Sequence, residues 1–230
     1  MFRRGSTPST GQQQYADRTE AGGVLAHTLI EQLTGRLDLD RPVVLGLPRG
    51  GIPVAAPVAA ALDAPLDVLL VRKVGLPEQP ELAMGAVAAI GDRIAVVRNE
   101  PVLRERRVPP AEFADACREE LATLRERAVR YRGDRPPLQL AGRLVIVVDD
   151  GLATGATMRA ALGALHAGGI ERIVLAVPIG SPRTCRELAA QATALVCPWQ
   201  PANLQSVSQG YRRFGQTSDE EVVRLLSETR

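Results

Sequence analysis

The sequence predicts an α/β fold: an open, mainly parallel sheet covered by helices on both faces. Two observations carry that expectation. Apolar runs such as PVVLGL (42–47), RLVIVVDD (143–150) and RIVLAVPI (172–179) alternate with helical patterns. The runs are also continuously apolar, as strands buried on both faces must be. With 230 residues, 45% hydrophobic and 23% charged, the chain is long enough for one sizeable core. Aromatics make up only 3%, so Ala, Val, Leu and Ile must fill that core.

Taken in order, residues 1–14 are basic at the start, with no apolar stretch behind, and read as a flexible tail rather than a secretory signal. Residues 15–230 read as one domain with a core at about 42–198. A helix is expected over 15–33, with Asp17 as N-cap and apolar residues at three- and four-residue steps. The strand 42–47 runs into the turn Pro48-Arg49-Gly50-Gly51, and an alanine-rich helix follows at 53–62. A second strand, 67–73, ends on Arg72-Lys73; a polar loop, 74–82, leads to a pair of strands at 83–90 and 94–98. Between 109 and 132, Phe113, Cys117, Leu121, Leu124, Ala128 and Tyr131 mark a long inserted amphipathic helix. Its apolar stripe should pack on the body or on a second subunit. The strongest strand is 143–150, followed by a helix at about 156–167 that stops at Gly168-Gly169. Further strands are expected at 172–179 and 194–198. A closing helix at 218–228 has Ser218 as cap and acids in its first turn.

The bulk numbers exclude several classes. A net charge of +2 gives no reason to expect nucleic acid as partner, and no apolar run is long enough for a membrane span. Cys117, Cys185 and Cys197 lack CxxC spacing and a histidine cluster, so neither zinc nor a disulfide framework is expected. A reduced, cytoplasmic setting fits. His27 and His166 sit within helix patterns and suggest no chemistry. Lys73 is the one lysine; the other basic residues are all arginine.

The chemistry concentrates at 145–157, VIVVDDGLATGAT. An apolar strand runs into Asp149 and Asp150, then a turn with two glycines and two threonines, then a helix. Strand C-termini at a switch point are where open α/β sheets bind ligands. Gly151 and Gly155 allow backbone N–H groups to turn inward, Thr154 and Thr157 add hydroxyl donors, and the helix brings its positive end to the same place. Together these suit a phosphate. Two carboxylates just before such a cradle suit a vicinal diol.

This string resembles the phosphoribosyl pyrophosphate (PRPP) motif of the type I phosphoribosyltransferases. Two further segments agree with the resemblance, which covers about 42–180: Pro48-Arg49-Gly50-Gly51 is similar to the family's pyrophosphate loop, and Arg72-Lys73 with the loop to Leu82 stands where the family has a mobile lid. PRGGIPVA, RKVGLPEQPELAMGAV and GYRRFGQTSDEEV resemble a little-characterised bacterial branch. The resemblance implies a flexible strand-loop-strand lid and a small hood from terminal segments, here 199–230. It implies that Asp149 and Asp150 hold the ribose hydroxyls, with Asp149 the contact for Mg²⁺. Gly151, Ala153, Thr154, Gly155, Ala156 and Thr157 would wrap the 5-phosphate. Arg49, Gly50, Gly51, Arg72 and Lys73 would hold pyrophosphate, with Pro48–Arg49 as the family's cis peptide.

The implied enzyme displaces pyrophosphate from C1 of PRPP with an acceptor, a nitrogen nucleophile by preference, and works as a homodimer. Where many relatives carry a general base, this chain has Leu152 and Ala153, which cannot serve. Trp199, Tyr211 and Phe214 either stack a planar acceptor or pack a small lobe. Two other readings stay open: a PRPP- or nucleotide-sensing regulator with the same fold, and a hydrolase or phosphorylase of ribose 5-phosphate derivatives.

Overall fold

The fold comes from a computed structural model that describes residues 14–39, 41–90 and 93–229; apart from Gln14, the expected tail lies outside them. In chain order the elements are α1 (Arg18–Leu33), β1 (Val43–Gly46), α2 (Gly51–Ala61), β2 (Leu66–Val68), β3 (Leu70–Leu76), β4 (Gln79–Ile90), β5 (Arg93–Arg98), α3 (Glu100–Glu105), α4 (Pro110–Arg132), β6 (Val145–Val148), α5 (Ala156–Ala167), β7 (Ile173–Ala176), α6 (Pro182–Ala189), β8 (Ala194–Val196) and α7 (Asp219–Glu228). A 3₁₀ turn is formed by Val207–Gly210.

The central sheet has five strands in the order β2-β1-β6-β7-β8, all pairs parallel. Its apolar runs feed two cores, because successive side chains leave a strand on opposite faces. Val44, Ile146 and Val148 pack with Leu25 and Leu29 of α1, Val54 of α2 and Val222 of α7. Val43, Leu45 and Val147 pack with Leu162 and Leu165 of α5 and Leu188 of α6. Both faces are covered, as continuous apolar strands require. The caps follow the sequence: Asp17 accepts from Glu20 N–H and Ser218 from Glu221 N–H.

Two expectations need correction. The strand expected over 67–73 is divided between two sheets. Arg132, itself paired with buried Asp67 at 2.9 Å, donates to the Val68 carbonyl, and Leu70 begins a separate antiparallel sheet, β3-β4-β5. The loop expected over 74–82 is mostly strand: β3 runs to Leu76, β4 starts at Gln79, and Leu76 pairs with Gln79. The prolines suggested a loop, but Val74, Leu76 and Met84 are buried in the same cluster as Phe113, Cys117 and Leu124 of α4. The amphipathic stripe of the long helix therefore packs on this hairpin. Helices α3 and α6, too short to leave a periodic signature, were not anticipated. No helix among the described residues is long and apolar enough to cross a membrane.

Candidate active site

The strand order reverses direction between β1 and β6. From β1 the chain moves outward to β2; from β6 it moves the other way to β7 and β8. The C-terminal ends of β1 and β6 therefore diverge into a crevice, the place where such sheets take ligands. The two loops singled out in the sequence, Pro48–Gly51 and Asp149–Gly155, emerge there side by side. Leu47 N–H donates to the Val148 carbonyl at 2.9 Å, so the pairing continues up to the crevice.

The glycines of the first loop are explained by this proximity. A Cβ on Gly51 would lie 2.7 Å from the Val148 carbonyl oxygen and 3.0 Å from Asp149 Cα. A Cβ on Gly50 would collide with the Asp150 carboxylate. The Pro48–Arg49 peptide is cis. Burial, then the charge of Asp150, pushes the Asp149 carboxyl well above the ordinary carboxylate range. Burial raises Asp150 as well, against the opposing pull of Arg18. Asp149 Oδ1 accepts from Asp150 N–H at 2.9 Å. Two crowded carboxylates with few charge partners form a donor set that suits a hard divalent cation. Among the described residues no third Asp, Glu, His or Cys joins them, so the remaining ligands of such an ion would come from substrate and water.

The cradle follows directly. Gly155 is the N-cap of α5 at φ +72°, and no side chain caps the helix, which leaves its first N–H groups open at the crevice. Thr154 and Thr157 are exposed, with their hydroxyls at the surface. The turn is braced from behind: Leu152 exchanges backbone hydrogen bonds with Ile179 and Ser181, and the Thr184 hydroxyl donates to the Ala153 carbonyl at 2.8 Å.

The basic residues are only partly gathered. Arg49 stands on the β1 loop, 3.9 Å from Asp219 of α7. Arg72 lines a recess of about 30 Å³ together with Pro48 and Thr157, with its Nε on Glu120 of α4 at 2.6 Å. Lys73 is exposed, and strand alternation directs it to the other face of β3, away from Arg72. The structure therefore separates the adjacent basic pair that the sequence joined.

The aromatic residues form one cluster with Tyr15. The Tyr211 ring lies 5.8 Å from Tyr15 and 5.0 Å from Phe214, and Trp199 meets Tyr15 edge-on at 6.0 Å. Tyr211 is 4% exposed, and its hydroxyl donates to the Asp150 carbonyl at 2.6 Å. Burial of the ring and the nearby Asp150 push the Tyr211 hydroxyl up, which keeps it protonated as a donor. Tyr211 thus ties the hood to the acid pair, while Trp199 and Phe214 are half-buried.

Arg18 was missed. Its Nε contacts Asp150 Oδ2 at 2.9 Å with the two side chains 12% and 16% exposed, Nη1 donates to the Gly215 carbonyl at 2.7 Å, and the guanidinium lies 4.0 Å from the Phe214 ring centre. One signal was available. An arginine in the first turn of a helix sits at the positive end of the dipole, a poor place for it without a nearby acid.

The chain matches the phosphoribosyl transferase domain family over residues 16–208. It is 47% identical over 212 residues to a Mycobacterium tuberculosis protein that is itself named only provisionally as a phosphoribosyl transferase; the match covers 92% of this chain. The chain spans about half, 46%, of that relative's length. It is 31% identical over 169 residues to the bifunctional protein PyrR of Deinococcus radiodurans, covering 73% of this chain and 69% of that one. Among solved structures it resembles TT1426 of Thermus thermophilus, with a TM-score of 0.80 and 39% identity over 94% of this chain and 99% of that one.

Proposed function

We propose, for a chain that belongs to the phosphoribosyl transferase domain family, that it binds PRPP with Mg²⁺ in the β1/β6 crevice and transfers the phosphoribosyl group to a small nucleophile. The observation that carries this reading is the convergence at one switch point of an acid pair, an uncapped helix N-terminus and the Pro48–Gly51 loop. Asp149 and Asp150 would accept hydrogen bonds from the ribose hydroxyls. The turn from Gly151 through Ala153, Thr154, Gly155, Ala156 and Thr157 would hold the 5-phosphate by backbone N–H groups and hydroxyls.

In the transfer, the bond from C1 to the pyrophosphate oxygen breaks and a bond from C1 to the acceptor forms. The electron pair of the broken bond leaves with pyrophosphate. Positive charge grows at C1 between the two, so the chain's work is positioning and stabilising charge. Asp149 would hold Mg²⁺, which when bound would supply charge neutralisation for the leaving group. Arg49 and Arg72 would take the pyrophosphate oxygens by charge-assisted hydrogen bonds, and exposed Lys73 would add its charge from the other face of β3. Leu152 and Ala153 cannot accept the acceptor's proton, which points to a nucleophile that needs no base from this turn.

Calorimetry with Mg²⁺ and PRPP tests the reading. The wild-type protein should bind, and Asp149→Asn combined with Asp150→Asn should abolish the heat while leaving a folded protein. A wild type that does not bind PRPP sinks it. Pyrophosphate release, screened against bases, amines and amino sugars, then separates turnover from sensing.

A further inference from the structure

We infer that Arg127, on the long helix α4 and outside every recognisable motif, is a third guanidinium of the pyrophosphate-binding wall. The inference deepens the proposed PRPP reading and rests on it. Helix α4 enters the sequence as an insertion between the antiparallel sheet and β6, and its apolar stripe is used up in packing on the hairpin. Its C-terminal half, however, reaches the crevice. Leu124 and Arg127 line the same recess as Pro48, Leu70, Arg72 and Thr157. One small hollow thus joins the β1 loop, the β3 arginine, the first turn of α5 and α4.

The charges around it are unbalanced. Glu120 neutralises Arg72, and Asp219 serves Arg130 at 2.6 Å and the Tyr131 hydroxyl at 2.7 Å, with Arg49 further off at 3.9 Å. Arg127 has no acid three or four residues away on its helix: those positions are Thr123, Leu124, Arg130 and Tyr131. Among the described residues it forms no ion pair, and it is exposed. Two guanidiniums from different elements, Arg72 of β3 and Arg127 of α4, therefore line the hollow, and among the described residues Arg72 alone of the two forms an ion pair. The open N-terminus of α5, already assigned to the 5-phosphate, borders the hollow through Thr157, so a pyrophosphate held by Arg72 and Arg127 would lie beside that end of the donor. Two guanidiniums bordering one hollow are stabilised by an anion, and a multiply charged one matches them best.

The test compares three probes, each with Mg²⁺: PRPP, inorganic pyrophosphate, and ribose 5-phosphate, which lacks the pyrophosphate arm. Arg127→Gln should weaken pyrophosphate and PRPP about tenfold, the loss expected for one charge-assisted hydrogen bond. It should leave ribose 5-phosphate affinity unchanged, and Arg127→Lys should recover part of the loss. Arg125→Gln removes the same charge two residues away and should change none of the three. Wild-type affinity for pyrophosphate in Arg127→Gln overturns the inference, as does an equal loss for ribose 5-phosphate or an equal effect of Arg125→Gln. A wild type that binds pyrophosphate through Arg127 but not PRPP sinks the donor reading alone; one that binds neither sinks both.

Discussion

The crevice has two walls of unlike origin. One is the strand–turn–helix from Val145 to Ala167, contiguous in the chain and built on local rules: a buried strand, an acid pair, a glycine N-cap. The other is the terminal cluster, in which Arg18 meets Asp150 across 132 residues of sequence and Gly215 across 197. The first wall holds the acid pair and the uncapped helix N-terminus proposed to meet the donor. The second turns its polar groups onto the first: Arg18 to the Asp150 carboxylate, Tyr211 to the Asp150 carbonyl. Recognition chemistry can be compact in sequence, whereas the support that holds it in place is spread along the chain.

Four substitutions probe that division, in decreasing order of expected effect. Gly155→Val puts a side chain at φ +72°, 2.5 Å from Thr184 Cγ2 and 3.2 Å from Leu188 Cδ1. It should cost about 3 kcal/mol in urea unfolding and remove PRPP binding. Retained binding would mean that the turn is not the cradle. Arg18→Ala strands a mostly buried carboxylate and uncovers Phe214, at a cost of about 2 kcal/mol. If Arg18 supports the site without reading the donor, Arg18→Lys should regain most of that stability; if binding of PRPP collapses even in Arg18→Lys, the second wall also recognises substrate.

Tyr211→Phe keeps the ring and loses one hydrogen bond, so the unfolding free energy should drop by about 1 kcal/mol. Acceptor-dependent turnover should not change. A selective fall in turnover would restore the stacking role for this aromatic cluster. Asp219→Asn is the mildest, about 0.5 kcal/mol at pH 7. The Tyr131 hydroxyl, then Arg130, holds the Asp219 carboxyl below the usual range. Its stabilisation is therefore full above an ordinary aspartate pKa of about 3.9 and is lost as pH falls through the lowered folded value. Melting temperatures of wild type and variant should differ at neutral pH and converge in strong acid. A constant gap down to the lowest pH would remove the carboxylate from the account.

The same division explains what the sequence made legible. The central strands β1, β6, β7 and β8, the cover helices α1, α2, α5 and α7, the Asp17 and Ser218 caps and the Pro48–Gly51 and Asp149–Thr157 loops all follow from patterns a few residues long. The hairpin was mistaken for a loop because Pro77 and Pro80 are local breakers, while the burial of Val74 and Leu76 against α4 is a tertiary effect. Arg72 and Lys73 looked like one basic unit, yet a strand sends neighbours to opposite faces. Arg18 and Arg127 are each one arginine among many, and only the folded chain brings them to the crevice.

The lacing of Tyr15 to Gly210, with Arg212 and Arg213 N–H groups returned to the carbonyls of Tyr15 and Ala16, also has a kinetic meaning. Closing so long a loop is entropically expensive and must wait for most other contacts to form. A chain emerging from the ribosome can assemble the strand–turn–helix early, but the brace behind Asp150 can lock only after residue 210 has been released. Ligand-binding competence should therefore mature as one of the last steps of folding, later than the sheet that carries it.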